Sequence, residues 1–264
     1  DRQRVRHTGR WLVRHSTDRC STAIGLALLA TDRAEEDIPL IQTIGLLSNT
    51  FGLLAVRALE RRRGGEQALL WLAQRVAGSG RIDVIEALCR YRPAPRRWLL
   101  RHACDGDIFD GYYAGQVATS CHLHEAIVST EVDDDLVDHT ARLLAAMKDS
   151  FGMGMTLEHY PPAPIVLGAH AAHLSQQTPT VSRYIEAGVI ALHLTNKTPH
   201  ECGCTTEQRD HIVRQYLAVL NRDDWCDTIR ANLDQADRHS VWFAATVAPR
   251  LRLRAFTDPP NDDR

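Results

Sequence analysis

The chain has 264 residues, 44% apolar and 24% charged, with a net charge of −2, enough for one large or two small domains with cores of their own. That balance excludes a disordered or collagen-like chain. No run approaches the roughly 18–20 consecutive apolar residues of a membrane span, so no membrane partner is expected.

The first element in chain order carries a motif. Arg10 to Asp18 reads RWLVRHSTD and returns 87 residues later as RWLLRHACD, from Arg97 to Asp105. Eighty-seven is three times 29, and intermediate copies lie where that division places them. Trp11, Leu40, Leu69 and Trp98 share one slot, and Leu12, Ile41, Leu70 and Leu99 the next. Leu26, Ala55, Val84 and Tyr113 keep step in the second half of each unit, as do Leu29, Ala58, Ala87 and, less well, Gln116. Leucine in the tryptophan slot favours packing over chemistry, so Trp11 and Trp98 are expected to be core anchors, with His15 and His102 partly buried beside them.

Each unit reads as two helices. Leu40, Ile41, Ile44 and Leu47 mark one helix face after Asp37-Ile38-Pro39, where proline suits a first turn. Leu53, Leu54, Val56, Ala58 and Leu59 form the next stripe, closed by Glu60-Arg61-Arg62-Arg63 and Gly64-Gly65, cations and glycine at a helix C-terminus. Gly78-Ser79-Gly80 separates the third pair, and Pro93-Ala94-Pro95 opens the fourth. Two short helices per ~30 residues predict an α-solenoid of stacked hairpins, each supplying the apolar contacts its neighbour lacks. GLLAVRALERRRGGEQALLWLAQRV (52–76) and GRIDVIEALCRY (80–91) resemble the short HEAT-like repeats of phycobilin-lyase-type and related bacterial proteins. The resemblance covers residues 10 to 128 and implies an all-α, right-handed solenoid with a C-terminal helical block. It implies no particular activity. The expected core holds Trp11, Leu12, Leu26, Leu29, Leu40, Ile41, Ile44, Leu54, Leu59, Leu69, Leu70, Leu72, Ile85, Leu88, Trp98 and Leu99.

Beyond residue 128 the register is lost while helical patterns continue. Within Val132 to Met147 the apolar Leu136, Val137, Leu143, Leu144 and Met147 follow an acidic run, Asp133-Asp134-Asp135, that suits an N-cap and first turn, and further helices are predicted over 165–175, 180–194, 206–221 and 225–248. The strongest break is Phe151-Gly-Met-Gly-Met with Pro161-Pro162-Ala163-Pro164. The expected division is therefore HEAT-like repeats over 10–150, a helical block over 151–256 and a polar tail over 257–264.

Seven scattered cysteines do not form a disulfide framework. No charged-then-apolar leader follows Asp1, and together these suggest a reducing cytoplasm. Lysine occurs twice, as Lys148 and Lys197, against 29 arginines, a bias expected of a GC-rich bacterial genome. Charge is uneven along the chain: residues 1–101 hold 18 basic and 10 acidic groups, residues 102–204 hold 4 and 13.

Several clusters invite chemistry. Arg57, Arg61, Arg62 and Arg63 end one helix, while Arg90, Arg92, Arg96, Arg97 and Arg101 occupy the corresponding turn two helices later. Stacked, they would form a basic edge for an acidic protein or a phosphate backbone. HEAT-like DNA-repair glycosylases use such a face with acidic and aromatic groove residues, for which no matching motif is found. Asp105, Asp107 and Asp110 offer carboxylates to a cation or a basic partner, but suit a helix N-cap better. Cys121, His124 and Glu125 share a helix face at i, i+3, i+4, and His170 and His173 form an i, i+3 pair. His200, Cys202 and Cys204 are the candidate zinc ligands of a loop. No phosphate loop, Gly-x-Ser-x-Gly elbow or His-Glu-x-x-His is present. The leading expectation is a non-catalytic scaffold for a protein partner without a cofactor. The alternatives are a nucleic-acid-binding protein on the arginine edge, and a metalloprotein or small-molecule enzyme using the second-half His and Cys groups.

Overall fold

The computed structural model describes residues 1–91, 93, 95–148, 153–234 and 237–257. Among them there is no β-strand, in keeping with the 3.6-residue apolar periodicity, and no helix is long and apolar enough to cross a membrane. Two compact units are present. One comprises Asp1–Leu99 with Asp107–Phe109; the other comprises Leu100–Gly106 and the chain from Asp110 onward.

The first unit contains α1 (Arg2–His15), α2 (Arg19–Leu29), α3 (Ile38–Gly45), α4 (Asn49–Glu60), α5 (Gly65–Ala73), α6 (Ser79–Arg90) and the start of α7 (Arg96–His102). They pair as α1 with α2, α3 with α4 and α5 with α6; α2 also packs on α4, α4 on α6 and α3 on α5. The period predicted from sequence is visible in burial. Leu26, Ala55 and Val84 are fully buried, as are Leu29, Ala58 and Ala87 three residues on. The caps follow from residue chemistry. Asp18 accepts the Ser21 N–H at 2.9 Å to start α2, and Gly64, at φ 73, takes the left-handed turn after α4 that a side chain would disfavour.

The tryptophan slot behaves differently from the expected core anchor. Leu69 is fully buried and Leu40 and Trp98 are half-buried, but Trp11 is 55% exposed. α1 buries only Gly9 and Val13, so the turn carrying Trp11 faces outward, where the indole lies 5.4 Å from the exposed His15 ring. His102 is likewise exposed, and Leu12, Ile44, Leu54 and Leu70 are half-buried. The repeat keeps the α2, α4 and α6 core and relaxes at the first helix of each pair.

The second unit holds α8 (Asp110–Ser120), α9 (Leu123–Ile127), α10 (Asp134–Lys148), α11 (Ala163–Leu174), α12 (Val181–Asn196), α13 (Thr206–Leu220), α14 (Asp223–Asn232), α15 (Arg238–Trp242), a π-helical turn over Phe243–Val247, α16 (Ala248–Leu251) and α17 (Arg254–Thr257). The division falls at 100–109, ahead of the expected 150, because α10 packs on α8 as well as on α11 and α12 and so ties residues 110–148 to the second half. The one long helix expected over 225–248 is instead several. α14 ends at Asn232, and the π turn precedes Pro249, which has no N–H to continue an α-helical ladder. Tyr184, Trp225 and Phe243 are fully buried and share one aromatic cluster, with ring centroids of Tyr184 at 6.3 Å from Trp225 and 5.9 Å from Phe243. Residues 149–152, which include the first two of the expected break, and 258–264 of the expected polar tail lie outside the described residues.

Candidate functional site

The expected basic edge resolves into groups with different fates. Arg62 does not belong to it. It is 4% exposed, and its guanidinium donates to Leu29 O at 2.9 Å, to Ala34 O at 3.0 Å and to Ala58 O. A residue just past the end of α4 thus caps the carbonyls of α2 and of its own helix, joining two neighbouring hairpins. Burial lowers its pKa from the usual arginine value, and three carbonyl dipoles stand in for lost water. Arg90 is paired with Glu60, Nη2 to Oε1 at 2.7 Å. Arg63 is 92% exposed with its Nε 3.6 Å from Glu35. In the second unit Arg101 grips Asp133, the N-cap of α10, through Nε and Nη2 at 3.0 and 2.9 Å. Arg96 and Arg97 are exposed at the start of α7, and Arg92 lies outside the described residues.

Arg57 and Arg61 remain together. Both line an open cleft of about 650 Å³ between α2 and α4, whose other walls are Ala27, Ala30, Thr31, Leu54 and Glu60. A second hollow of about 680 Å³ shares Thr31, Glu60 and Arg61 and adds Arg2, Asp32 and Arg33. The two carboxylates of this surface are already engaged, Glu60 by Arg90 and Asp32 by Arg6 at 3.1 Å. Among the described residues the Arg2, Arg33, Arg57 and Arg61 side chains make no hydrogen bond or close ion pair, although Arg57 lies near enough to Asp83 to favour its charge. Four planar forks of donors over a small apolar floor can hold carboxylates or phosphate oxygens in pairs. Arg33 was missed from sequence although the repeat pointed to it: it follows α2 as Arg61 to Arg63 follow α4. Nothing local in the sequence marks Arg2.

Of the acidic alternative, Asp110 alone is buried, while Asp105 and Asp107 are exposed. Asp110 is 3% exposed in the first turn of α8, where it accepts from the Gly106 N–H at 2.8 Å and the Tyr113 hydroxyl at 2.5 Å. Burial raises its pKa against those hydrogen bonds. Asp107 accepts from the Phe109 N–H at 3.0 Å, and Asp105 is exposed. Asp110 stands in the first turn of α8, and Asp107 holds the turn that leads into it.

The predicted zinc loop does not assemble. His200 is exposed and pairs with Glu158 at 3.2 Å. Cys202 is fully buried beneath the turn, its thiol pushed up to about 11 by burial. Cys204 is half-buried, its Sγ 3.3 Å from Cys202 O, and burial raises its pKa too. Gly203, at φ 65, makes the left-handed turn that closes this short loop. His170 is wholly buried against Tyr216, Nδ1 to hydroxyl 2.7 Å, while His173 Nε2 meets Ile127 O at 2.8 Å, so that pair serves packing. Cys121, His124 and Glu125 do not share a face, because the helix breaks between Ser120 and Leu123 and turns Cys121 into the core.

Comparison with known proteins returned no match, whether to a family model, a curated protein or a solved structure.

Proposed function

We propose that this protein is a non-catalytic binding module whose first part is a HEAT-like α-solenoid, and that the cleft between α2 and α4 receives an acidic segment of a protein partner. One observation carries the reading: Arg57 and Arg61, with Arg2 and Arg33 beside them, line a concave surface whose own carboxylates are already paired. Guanidinium groups without a hydrogen-bonded carboxylate at a surface are the electrostatic half of an interface. Ala27, Ala30 and Leu54 add an apolar floor that suits an acidic segment with interspersed aliphatic residues better than a bare phosphate backbone. The stacked pairing of α2, α4 and α6 supports the solenoid reading, since such repeats present extended surfaces of this kind.

Fluorescence anisotropy with a labelled Glu/Leu-rich peptide, and with duplex DNA as comparator, tests the proposal. The peptide is expected to bind and to weaken as salt rises. The double variant Arg57→Glu, Arg61→Glu is expected to lower its affinity at least ~10-fold, about 1.4 kcal/mol. Tighter binding of DNA with a steep salt slope would replace this reading with the nucleic-acid one. Failure of both ligands to bind at low salt would overturn it.

A further inference from the structure

We infer that His122, His124 and Glu125 form a surface site for a zinc-class divalent transition metal ion. Among the described residues they are the one group of three His, Cys, Asp or Glu side chains with a ligand atom each within 4.8 Å of the others. His122 Nδ1 lies 3.4 Å and His124 Nε2 3.9 Å from Glu125 Oε1. Tetrahedral zinc with metal–nitrogen and metal–oxygen bonds of ~2.0–2.1 Å spaces its donors about 3.3 Å apart. Two edges of the triangle are therefore close to ligating length, and small rotations of the exposed His122 and Glu125 side chains close the third. Two imidazoles and a carboxylate suit zinc and its borderline neighbours over calcium or magnesium, and three protein donors leave a position open to water.

The backbone explains why these residues meet. α8 stops at Ser120, and His122 takes φ 50, the left-handed conformation that glycine ordinarily supplies at a helix end. A histidine there costs on the order of 1 kcal/mol, and it projects the imidazole back toward Glu125 in the next turn. Cys121, Leu123 and Ile127 are fully buried beneath, and the Ile127 carbonyl is fixed by His173, so α9 is a firm base for outward-facing donors. The half-buried His124 turns Nδ1 inward and leaves Nε2 toward Glu125.

The test uses the full chain, stripped with a chelator and titrated calorimetrically with zinc. One equivalent is expected. His122→Gly removes a ligand at a backbone position that favours glycine, so the fold survives, and Glu125→Gln keeps shape while removing charge. Each is expected to weaken zinc by more than the ~10–100-fold that loss of an outer-shell partner costs. Cobalt substitution is expected to give a ligand-field spectrum without the intense near-ultraviolet band of thiolate ligation, which separates this site from the seven cysteines. Absence of zinc binding, a thiolate band at one equivalent, or unchanged affinity in both folded variants would overturn the inference.

Discussion

Arg62 stands between two exposed arginines in an unbroken basic run, yet it is the one that the fold encloses. Its three carbonyl acceptors belong to the end of α2, the following turn and α4, so the side chain is a polar rivet between hairpins. Removing it strands buried carbonyls, each costing ~1–3 kcal/mol. Arg62→Ala is expected to lose about 3 kcal/mol in urea denaturation, whereas Arg61→Ala, on the exposed cleft wall, should stay within about 0.5 kcal/mol. Equal losses would refute the assignment of Arg62 to structure. Composition and spacing show that arginines cluster here. They do not show which of three neighbours points inward, because that depends on where carbonyls from another hairpin end up.

At the scale of elements, apolar period and capping chemistry were legible wherever one helix repeats another. Asp18, Gly64 and the Asp133–Asp135 run start or stop helices as their side chains require. What escaped was each interruption produced by packing. The break at Cys121-His122, which replaces a Cys121–His124–Glu125 face by the His122–His124–Glu125 triangle, has no glycine or proline to announce it. The π turn before Pro249 brings Phe243 onto α12, where a β-carbon on Gly188 would lie 2.6 Å from the phenyl ring. Gly188→Ala therefore forces Phe243 or α12 aside despite alanine's better helix propensity. We expect a loss of about 2 kcal/mol, read as a lower urea midpoint with unchanged slope. A rise in stability would mean that the aromatic cluster is loosely packed.

For the whole molecule, the buried His170 and the half-buried Glu186 of the second unit set opposite pH dependences. Burial holds His170, with His173 nearby, down to about 3 from an ordinary 6.5, so the unfolded chain takes up its proton first and stability falls as pH drops below 6.5. Burial pushes Glu186 up to about 7 from 4.5 despite Arg142, Ser182 and Arg183 favouring its charge and with Asp138 adding to the rise. Its folded form keeps the proton longer, so its contribution is present below 4.5 and lost as pH rises toward 7. Between pH 4.5 and 6.5 the two slopes oppose each other at ~1.4 kcal/mol per pH unit. Denaturation of Glu186→Gln across that window is expected to steepen the loss toward acid, and of His170→Gln to reduce or reverse it. Parallel curves for both variants and the parent would remove both groups from the balance. Neither environment is visible in the sequence, where His170 is one of an i, i+3 pair and Glu186 is one acid among many. The sequence by itself determined an all-helical chain and a ~30-residue pairing of helices over its first third, since both arise from contacts between residues close in sequence or one repeat apart. Only the tertiary structure decided that Trp11 faces out, that Arg62 is enclosed, that the units divide near residue 100, and that His122 meets Glu125. Those outcomes depend on which surfaces distant helices cover, and burial and hydrogen-bond partners follow from that.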